Sequence, residues 1–190
     1  IGGSETAIIQ ESHLMLIHIL SELIEINLEL KLPPVENQSP RVIYDYDLKK
    51  ESLPNHKSIV WVNGCFDILH LGHVDYLEKS SLSGTKLIVA VNSDRSVKEL
   101  KGPERPVNSE YARARLIAAL GFVSLVIIFD EDTPLDLIKI LKPDVLMKGN
   151  DYNVETIVGA KEVLEYGGEV LTVPLVPDYS TTGIIQKLKN

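Results

Sequence analysis

The sequence is short of cysteine, of positive charge and of long apolar runs, and each shortage excludes a class of protein. Its 190 residues contain one cysteine, Cys65, so an internal disulfide is excluded and a reducing cytoplasm is expected. The net charge of −8 argues against a protein that coats nucleic acid. No apolar run approaches the roughly 18–20 residues of a membrane span, and the start lacks the basic region of a signal peptide. We therefore expect a cytoplasmic globular protein that binds neither nucleic acid nor a membrane.

The pattern of apolar residues predicts an α/β domain. From residue 58 onward short apolar runs alternate with helical patterns. Continuously apolar strands indicate a parallel sheet that helices cover on both faces. We expect a Rossmann-like, doubly wound sheet of five parallel strands with an N-terminal helix extension. The predicted strands cover 59–62, 86–91, 125–129, 144–147 and 169–173, and the predicted helices cover 72–81, 109–120, 134–141, 156–166 and 181–188.

A dense apolar pattern over residues 7–30 predicts a helix that a Pro-Pro pair ends. Its sequence, SETAIIQESHLMLIHILSELIE, resembles the last helix of phosphoheptose isomerases of the sugar-isomerase (SIS) class. In that family a Gln and a His of this helix face the active site, and Gln10 and His13 match them. The resemblance ends near residue 25, so we expect no isomerase activity, while the apolar helix points to a homodimer. We divide the chain into an isomerase-like C-terminal helix remnant (1–31), a linker (32–57) and a main domain (58–190).

The stretch Val62–His73, VNGCFDILHLGH, joins a predicted strand to a predicted helix. Free backbone N–H groups and the helix dipole both attract an anion at such a turn. His70 and His73 flank Gly72 there, and fixed donors at a helix start stabilise charge that develops on a reacting phosphorus. A lone histidine more often caps a helix or packs in a core, but two in this pattern favour chemistry on a phosphate. The pair supplies too few ligands for zinc, and the turn is neither a Walker loop nor a G-x-G-x-x-G fingerprint.

Further polar groups lie where predicted strands end or predicted helices begin. The stretch KGPERPVN and the following helix carry cations, of which we choose Lys101 and Arg113, because phosphoryl transfer needs several positive charges. The alternative is a solvated charged loop. The segment Ser180–Thr182 offers hydroxyl and N–H groups at a helix start, whereas ordinary capping would use its serine alone. A cation and a carboxylate follow the fourth predicted strand, Lys148 and Asp151.

The string NGCFDILHLGH resembles the nucleotidylyltransferase superfamily, whose H-x-G-H motif holds the triphosphate of ATP or CTP. The resemblance implies the nucleotidylyltransferase fold and a role for each candidate residue. The implied catalytic residues are His70, His73, Lys101 and Arg113. The implied nucleotide-binding residues are Asn63, Gly64, Phe66, Gly72, Asp94, Ser180, Thr181 and Thr182. The implied sugar-phosphate-binding residues are Asp67, Lys148 and Asp151, and no metal site built by the protein is implied.

Five separated motifs point to one member of this superfamily. They resemble the adenylyltransferase domain of the bifunctional heptose enzymes of lipopolysaccharide synthesis, although Asn150 stands where that family usually has a glycine. The resemblance implies that D-glycero-β-D-manno-heptose 1-phosphate and ATP, with Mg²⁺, give ADP-heptose and pyrophosphate. The alternatives are a cytidylyltransferase for glycerol 3-phosphate or a related alcohol phosphate and, in another class, a non-catalytic nucleotide-binding remnant. The motifs are AVNSD, KGPERPVN, DEDTP, KGNDY and STTGII.

Overall fold

The computed structural model describes residues 41–44, 58–150 and 156–189, all within a compact unit that comprises residues 39–190. The predicted isomerase-like helix, with Gln10 and His13, lies outside the described residues. None of the described helices combines the length and the apolar character that crossing a bilayer requires. The strands are β1 (Val42–Tyr44), β2 (Ile59–Gly64), β3 (Lys86–Asn92), β4 (Leu125–Phe129), β5 (Val145–Gly149) and β6 (Glu169–Val173). The helices are α1 (Leu71–Ser81), α2 (Asp94–Lys101), α3 (Glu110–Ala118), α4 (Leu135–Leu141), α5 (Ala160–Glu165) and α6 (Thr181–Lys189).

The described strands form one parallel sheet in the order β1-β4-β3-β2-β5-β6. This confirms the predicted α/β class, and all five predicted strands are present. The side chains of β2 alternate between the two faces of the sheet: Val60 and Val62 pack in one core and Trp61 in the other. All three are fully buried. Two cores, one on each face, explain why the strands read as continuous apolar runs.

β1 is a sixth strand that the sequence did not predict, and it lies within the segment assigned to the linker. Val42 is buried and pairs in register with Val126 of β4. The Arg41 guanidinium donates to the Val123 carbonyl at 3.1 Å, which adds a second tie to this edge. A strand of three residues is too short to show a periodic pattern, so the sequence gives little signal for it.

α2 is a helix that the sequence analysis did not predict, since it assigns no element between the strand over 86–91 and the helix over 109–120. The Ser93 hydroxyl caps this helix by accepting from the Ser96 N–H at 3.1 Å. Only Ser96 and Val97 of the helix are buried, so there is no apolar stripe for a periodicity argument to detect. The other predicted helices occur with shifted ends, and Ser109 caps α3 as expected.

The order of the strands reverses beside β2, which lies between β3 and β5. After β2 the chain builds the sheet outward through β3 and β4, and it then returns to place β5 on the other side of β2. The loops that leave β2 and β5 therefore diverge and open a crevice at the carboxyl ends of these strands, where ligands bind to sheets of this kind. The turn that carries the two histidines follows β2, so the topology places them in the crevice.

Candidate active site

A cavity of about 590 Å³ lies at the carboxyl ends of β2 and β5, a size typical of small-molecule sites. The turn after β2, the end of α2 and the segment between β6 and α6 contribute to its lining. Asp94 and Arg113 do not line it, and Asp151 lies outside the described residues. The cavity brings together the other predicted site residues: Asn63, Gly64, Phe66, Asp67, His70, Gly72, His73, Lys101, Lys148, Ser180, Thr181 and Thr182.

The spacing of the H-x-G-H motif is the spacing of a helix cap. His70 is the N-cap of α1, and its Nδ1 accepts from the His73 backbone N–H at 3.3 Å. A Ser or Thr in a capping box bonds the N–H three residues on in the same way. Because Nδ1 accepts, the neutral imidazole carries its hydrogen on Nε2. His70 can therefore donate from Nε2 to an anion while Nδ1 holds the start of the helix.

The two histidine rings are stacked, with centroids 3.8 Å apart and planes at 16°. The Phe66 ring meets His73 edge-on at a centroid distance of 5.2 Å. Burial, and to a smaller extent the neighbouring His70, lower the pKa of His73 to about 4, while the Ile68 backbone acts in the opposite direction. Burial also lowers the pKa of His70. Both imidazoles are therefore neutral near pH 7 before an anion binds, and they act as hydrogen-bond donors rather than as fixed charges.

Two glycines leave room for this tight turn. A Cβ on Gly72 would lie 3.1 Å from the Tyr179 Cβ and 3.2 Å from the His70 ring. A Cβ on Gly64 would lie 3.2 Å from the ring of Phe66, whose own φ of 46° is in the left-handed region. Uncommon backbone geometry of this kind is concentrated at functional sites. The turn is therefore closely built around the histidine pair.

Cations line the cavity on both sides of the histidine turn. Lys101, the last residue of α2, is exposed on one side. On the other side, the Lys148 ammonium on β5 donates to the Asn63 carbonyl on β2 at 3.1 Å, across the crevice. Arg105 also lines the cavity, although the sequence analysis did not choose it. Its position in the stretch KGPERPVN, four residues after Lys101, is the signal that could have found it.

Hydroxyl and amide groups complete the polar lining. Ser180 Oγ accepts from the Gly183 N–H at 3.0 Å and so caps α6 in the ordinary way. Thr181 and Thr182 line the cavity beside it. Asn63 Oδ1 is buried and has no hydrogen-bond partner within the described part of the chain, so it is available to accept from a ligand.

Protein donors bond to the carboxylate of Asp67, the residue for which the sequence analysis predicts a sugar-phosphate contact. Asp67 is only 1% exposed. One carboxylate oxygen accepts from the Arg105 guanidinium. The other accepts from the N–H groups of Val107 at 2.7 Å and Asn108 at 3.0 Å. Asp67 therefore contacts the 102–109 loop through both carboxylate oxygens, and its contact with a sugar phosphate stays a prediction.

The side chain of Arg113, which the sequence analysis predicts to be catalytic, is entirely buried. The guanidinium donates to the carbonyls of Cys65 at 2.6 Å and Asn108 at 3.0 Å, and to the Asp94 carboxylate at 2.8 Å. Arg113 and Asp94 thus form an ion pair, and neither residue lines the cavity. Their predicted contacts with the substrates stay predictions.

The Cytidylyltransferase-like family matches residues 61–187, a span that contains the turn, the cations and the start of α6. The chain belongs to this family. The predicted superfamily and enzyme class are confirmed, while the role of the H-x-G-H turn as the phosphate site stays a prediction.

Curated proteins and a solved structure resemble this chain. Bifunctional protein HldE of Koribacter versatilis is 54% identical over 133 residues, which are 70% of this chain and 27% of the relative. Bifunctional protein HldE of Syntrophotalea carbinolica is 41% identical over 186 residues, 98% of this chain and 36% of the relative. This chain therefore spans about a third of these relatives. The crystal structure of a lipopolysaccharide core biosynthesis protein from Thermoplasma volcanium is 30% identical, covers 66% of this chain and 100% of that protein, and has a TM-score of 0.52.

Proposed function

We propose that this nucleotidyltransferase transfers AMP from ATP to D-glycero-β-D-manno-heptose 1-phosphate and forms ADP-heptose and pyrophosphate, in the synthesis of lipopolysaccharide precursors. The observation that carries the proposal is the 54% identity to bifunctional protein HldE over the domain that contains the cavity. The five motifs that resemble heptose adenylyltransferases fall within the same domain. A relative named as a lipopolysaccharide core biosynthesis protein supports the same pathway.

The lining residues can support an in-line transfer. An oxygen of the sugar phosphate attacks the α-phosphorus, and the bond from that phosphorus to the β-phosphate breaks, so pyrophosphate leaves with the electron pair. His70 and His73 donate hydrogen bonds to the oxygens that gain charge at phosphorus. Lys101 and Lys148, with Arg105, neutralise the triphosphate and the attacking phosphate. No general base is needed, because a phosphate monoester is already ionised near neutral pH.

Mg²⁺ is proposed as the companion of ATP. Among the described residues, no group of three His, Cys, Asp or Glu side chains could hold a metal ion. This donor set suits Mg²⁺ that arrives on the triphosphate, because Mg²⁺ commonly keeps its waters and binds through phosphates and at most one or two carboxylates. Asp132 is the exposed carboxylate of the cavity lining that could reach such an ion. The ion supplies charge neutralisation, and the steps above rest on the residues of the chain.

A pyrophosphate-release assay with two nucleotides and two acceptors tests the proposal. We expect turnover with ATP and heptose 1-phosphate, and loss of turnover in His70→Ala. Turnover with CTP and glycerol 3-phosphate instead would establish the cytidylyltransferase alternative. No turnover with any pair, together with retained ATP binding, would identify a non-catalytic nucleotide-binding remnant and overturn the proposal.

The remaining expectations about the whole protein are proposals as well. We propose the division into an isomerase-like remnant, a linker and the nucleotidyltransferase domain, with β1 as part of the sheet. We also propose a homodimer and a cytoplasmic location, the latter because a single cysteine suits a reducing compartment. Light scattering of the purified chain would test the dimer directly.

A further inference from the structure

The loop of residues 102–109, between α2 and α3, brings positive charge to the cavity, although no buried apolar side chain of the loop holds it in place. None of its residues is buried, and Val107 is 59% exposed. Yet Arg105 from this loop and Lys101 immediately before it both line the cavity. A loop without buried apolar contacts is expected to open readily unless polar contacts hold it. Its position must therefore come from hydrogen bonds and ion pairs.

The first such contact is the buried carboxylate of Asp67. It accepts from the guanidinium of Arg105 and from the backbone N–H groups of Val107 and Asn108. The Asn108 side chain returns a hydrogen bond to the Asp67 carbonyl at 2.8 Å. These bonds join the loop to the residue that lies three positions before His70. A carboxylate that accepts several backbone donors fixes the conformation of those donors.

The second contact is the buried guanidinium of Arg113, which approaches the same loop from α3. It donates to Asn108 O on the loop, to Cys65 O on the turn after β2, and to the carboxylate of Asp94 at the start of α2. Three chain segments therefore meet on one side chain. Burying an arginine and an aspartate is costly, so such groups are weak contributors to stability compared with apolar residues of the same volume.

We propose that Asp67 and Arg113 are positioning residues for nucleotidyl transfer, which hold the 102–109 loop, and with it Lys101 and Arg105, against the histidine turn. The identity of the reaction in this inference rests on the proposed function, whereas the contacts that hold the loop do not depend on it. It assigns both buried residues a role that acts through the cations, without contact with either substrate.

A double-mutant cycle with Lys101 tests whether Arg113 acts through that cation. Arg113→Gln should lower kcat about 10–100-fold, since a displacement of about 1 Å at a catalytic group can cost that much. In a Lys101→Met background the same change should lower kcat by a clearly smaller factor, because one of the two cations through which it acts is already gone. Equal factors in the two backgrounds would overturn the proposal. Val123→Ala, a buried residue before β4 at the opposite end of the strands, controls for lost stability and should keep its kcat.

Cys65 provides a readout that needs neither substrate. It is the only cysteine of the chain and lines the cavity. Burial raises the pKa of its thiol, and the charges of Lys101, Arg113 and Arg105 act in the opposite direction. We expect iodoacetamide to alkylate Cys65 at least about threefold faster in Arg113→Gln, because the released loop and the lost bond to the Cys65 carbonyl leave this partly buried residue more open.

The direction of this change separates an open loop from a lost charge. Removal of the Arg113 cation alone would raise the pKa of the thiol and slow alkylation, so only displacement of the loop accelerates it. An unchanged or slower rate would therefore overturn the proposal. If Arg113→Gln does not fold, the double-mutant cycle is run with Asp67→Asn, which weakens the other contact. Because alkylation uses no ATP and no heptose, failure of the proposed reaction would leave this result interpretable.

Discussion

α1 and α6 both begin at the cavity, but they are held in very different ways. α1 buries Tyr76 and Leu77, and the Tyr76 hydroxyl donates to the Met147 carbonyl at 2.9 Å. α6 has no buried residue, and the Ser180 hydroxyl caps its start. Stabilisation of a transition state requires donors that are already in place, which the core provides for α1. A helix with few buried contacts costs less to displace, so α6 is suited to adjusting to a bound nucleotide.

The largest expected effect comes from a substitution at the N-cap of α1. His70→Ala removes the cap of α1 and the Nε2–H donor at once. We expect kcat to fall about 10²–10³-fold, the usual cost of one oxyanion donor, and unfolding free energy to fall by about 1 kcal/mol from the lost cap. Steady-state kinetics and thermal unfolding measure the two effects separately.

His70→Asn is the matched control for this change, since its amide can both cap the helix and donate a hydrogen bond. It should recover the thermal stability and part of kcat. A fall in kcat without any change in stability for His70→Ala would contradict the capping role, while equal kcat for both variants would show that the donor is not needed.

The second-largest expected effect is a loss of stability at low pH, which arises at the start of α1 and not at the start of α6. The pKa of His73 is about 4 in the folded protein and near 6.5 in the unfolded chain. Between these values the unfolded state binds a proton that the folded state does not, so stability is lost as the pH falls from about 6.5 to 4, by about 2–3 kcal/mol in total. Ser180 at α6 does not titrate, so the start of α6 adds nothing to this loss.

Denaturant unfolding from pH 7 to pH 4 checks this expectation. His73→Gln should lose less stability over that interval than the parent chain, with the difference appearing below pH 6.5. Parallel curves for the two proteins would contradict the lowered pKa. ATP should raise the pKa of His73, because an anion favours the imidazolium, so nucleotide binding near pH 5 should take up protons.

The sequence predicts the histidine turn at the start of α1 better than it predicts the start of α6 or the buried contacts of the 102–109 loop. His70 and His73 were found because a strand, a small-residue turn and a helix start are local patterns. The sequence also singles out Asp67 and Arg113, but as groups that contact the substrates. No local pattern shows that Asn108 and Cys65 would form hydrogen bonds with these side chains. β1 was not predicted because a strand of three residues shows no periodic pattern, and its pairing with β4 depends on residues far away in the chain.

A smaller effect is expected from filling the space between the two helix starts. A Cβ at Gly72 would lie 3.1 Å from the Tyr179 Cβ, in the segment that leads to α6. Because Tyr179 is nearly half exposed and can shift, Gly72→Ala should displace α6 rather than unfold the domain. We expect ATP binding to weaken about tenfold, or about 1.4 kcal/mol, by isothermal titration.

Gly183→Ala provides the comparison within α6, where the nearest atom is the Ser180 hydroxyl at 3.1 Å. That hydroxyl can rotate, and alanine favours a helix more than glycine does, so affinity should stay within about twofold and stability should not fall. Greater loss in Gly183→Ala than in Gly72→Ala would reverse the assignment of α1 as the fixed start.

The smallest effect is expected from removing the cap of α6. Ser180→Ala takes away the bond from the Gly183 N–H, which in a buried helix would cost about 1 kcal/mol of global stability. Because α6 buries nothing, it can fray while the sheet remains folded, so the midpoint of global unfolding should stay unchanged. Amide hydrogen exchange should instead be faster in α6 alone, and ATP should restore its protection. Slower exchange, or a clear fall in the global midpoint, would show that α6 is as firmly held as α1, and the difference between the two helix starts would then lie in their chemistry alone.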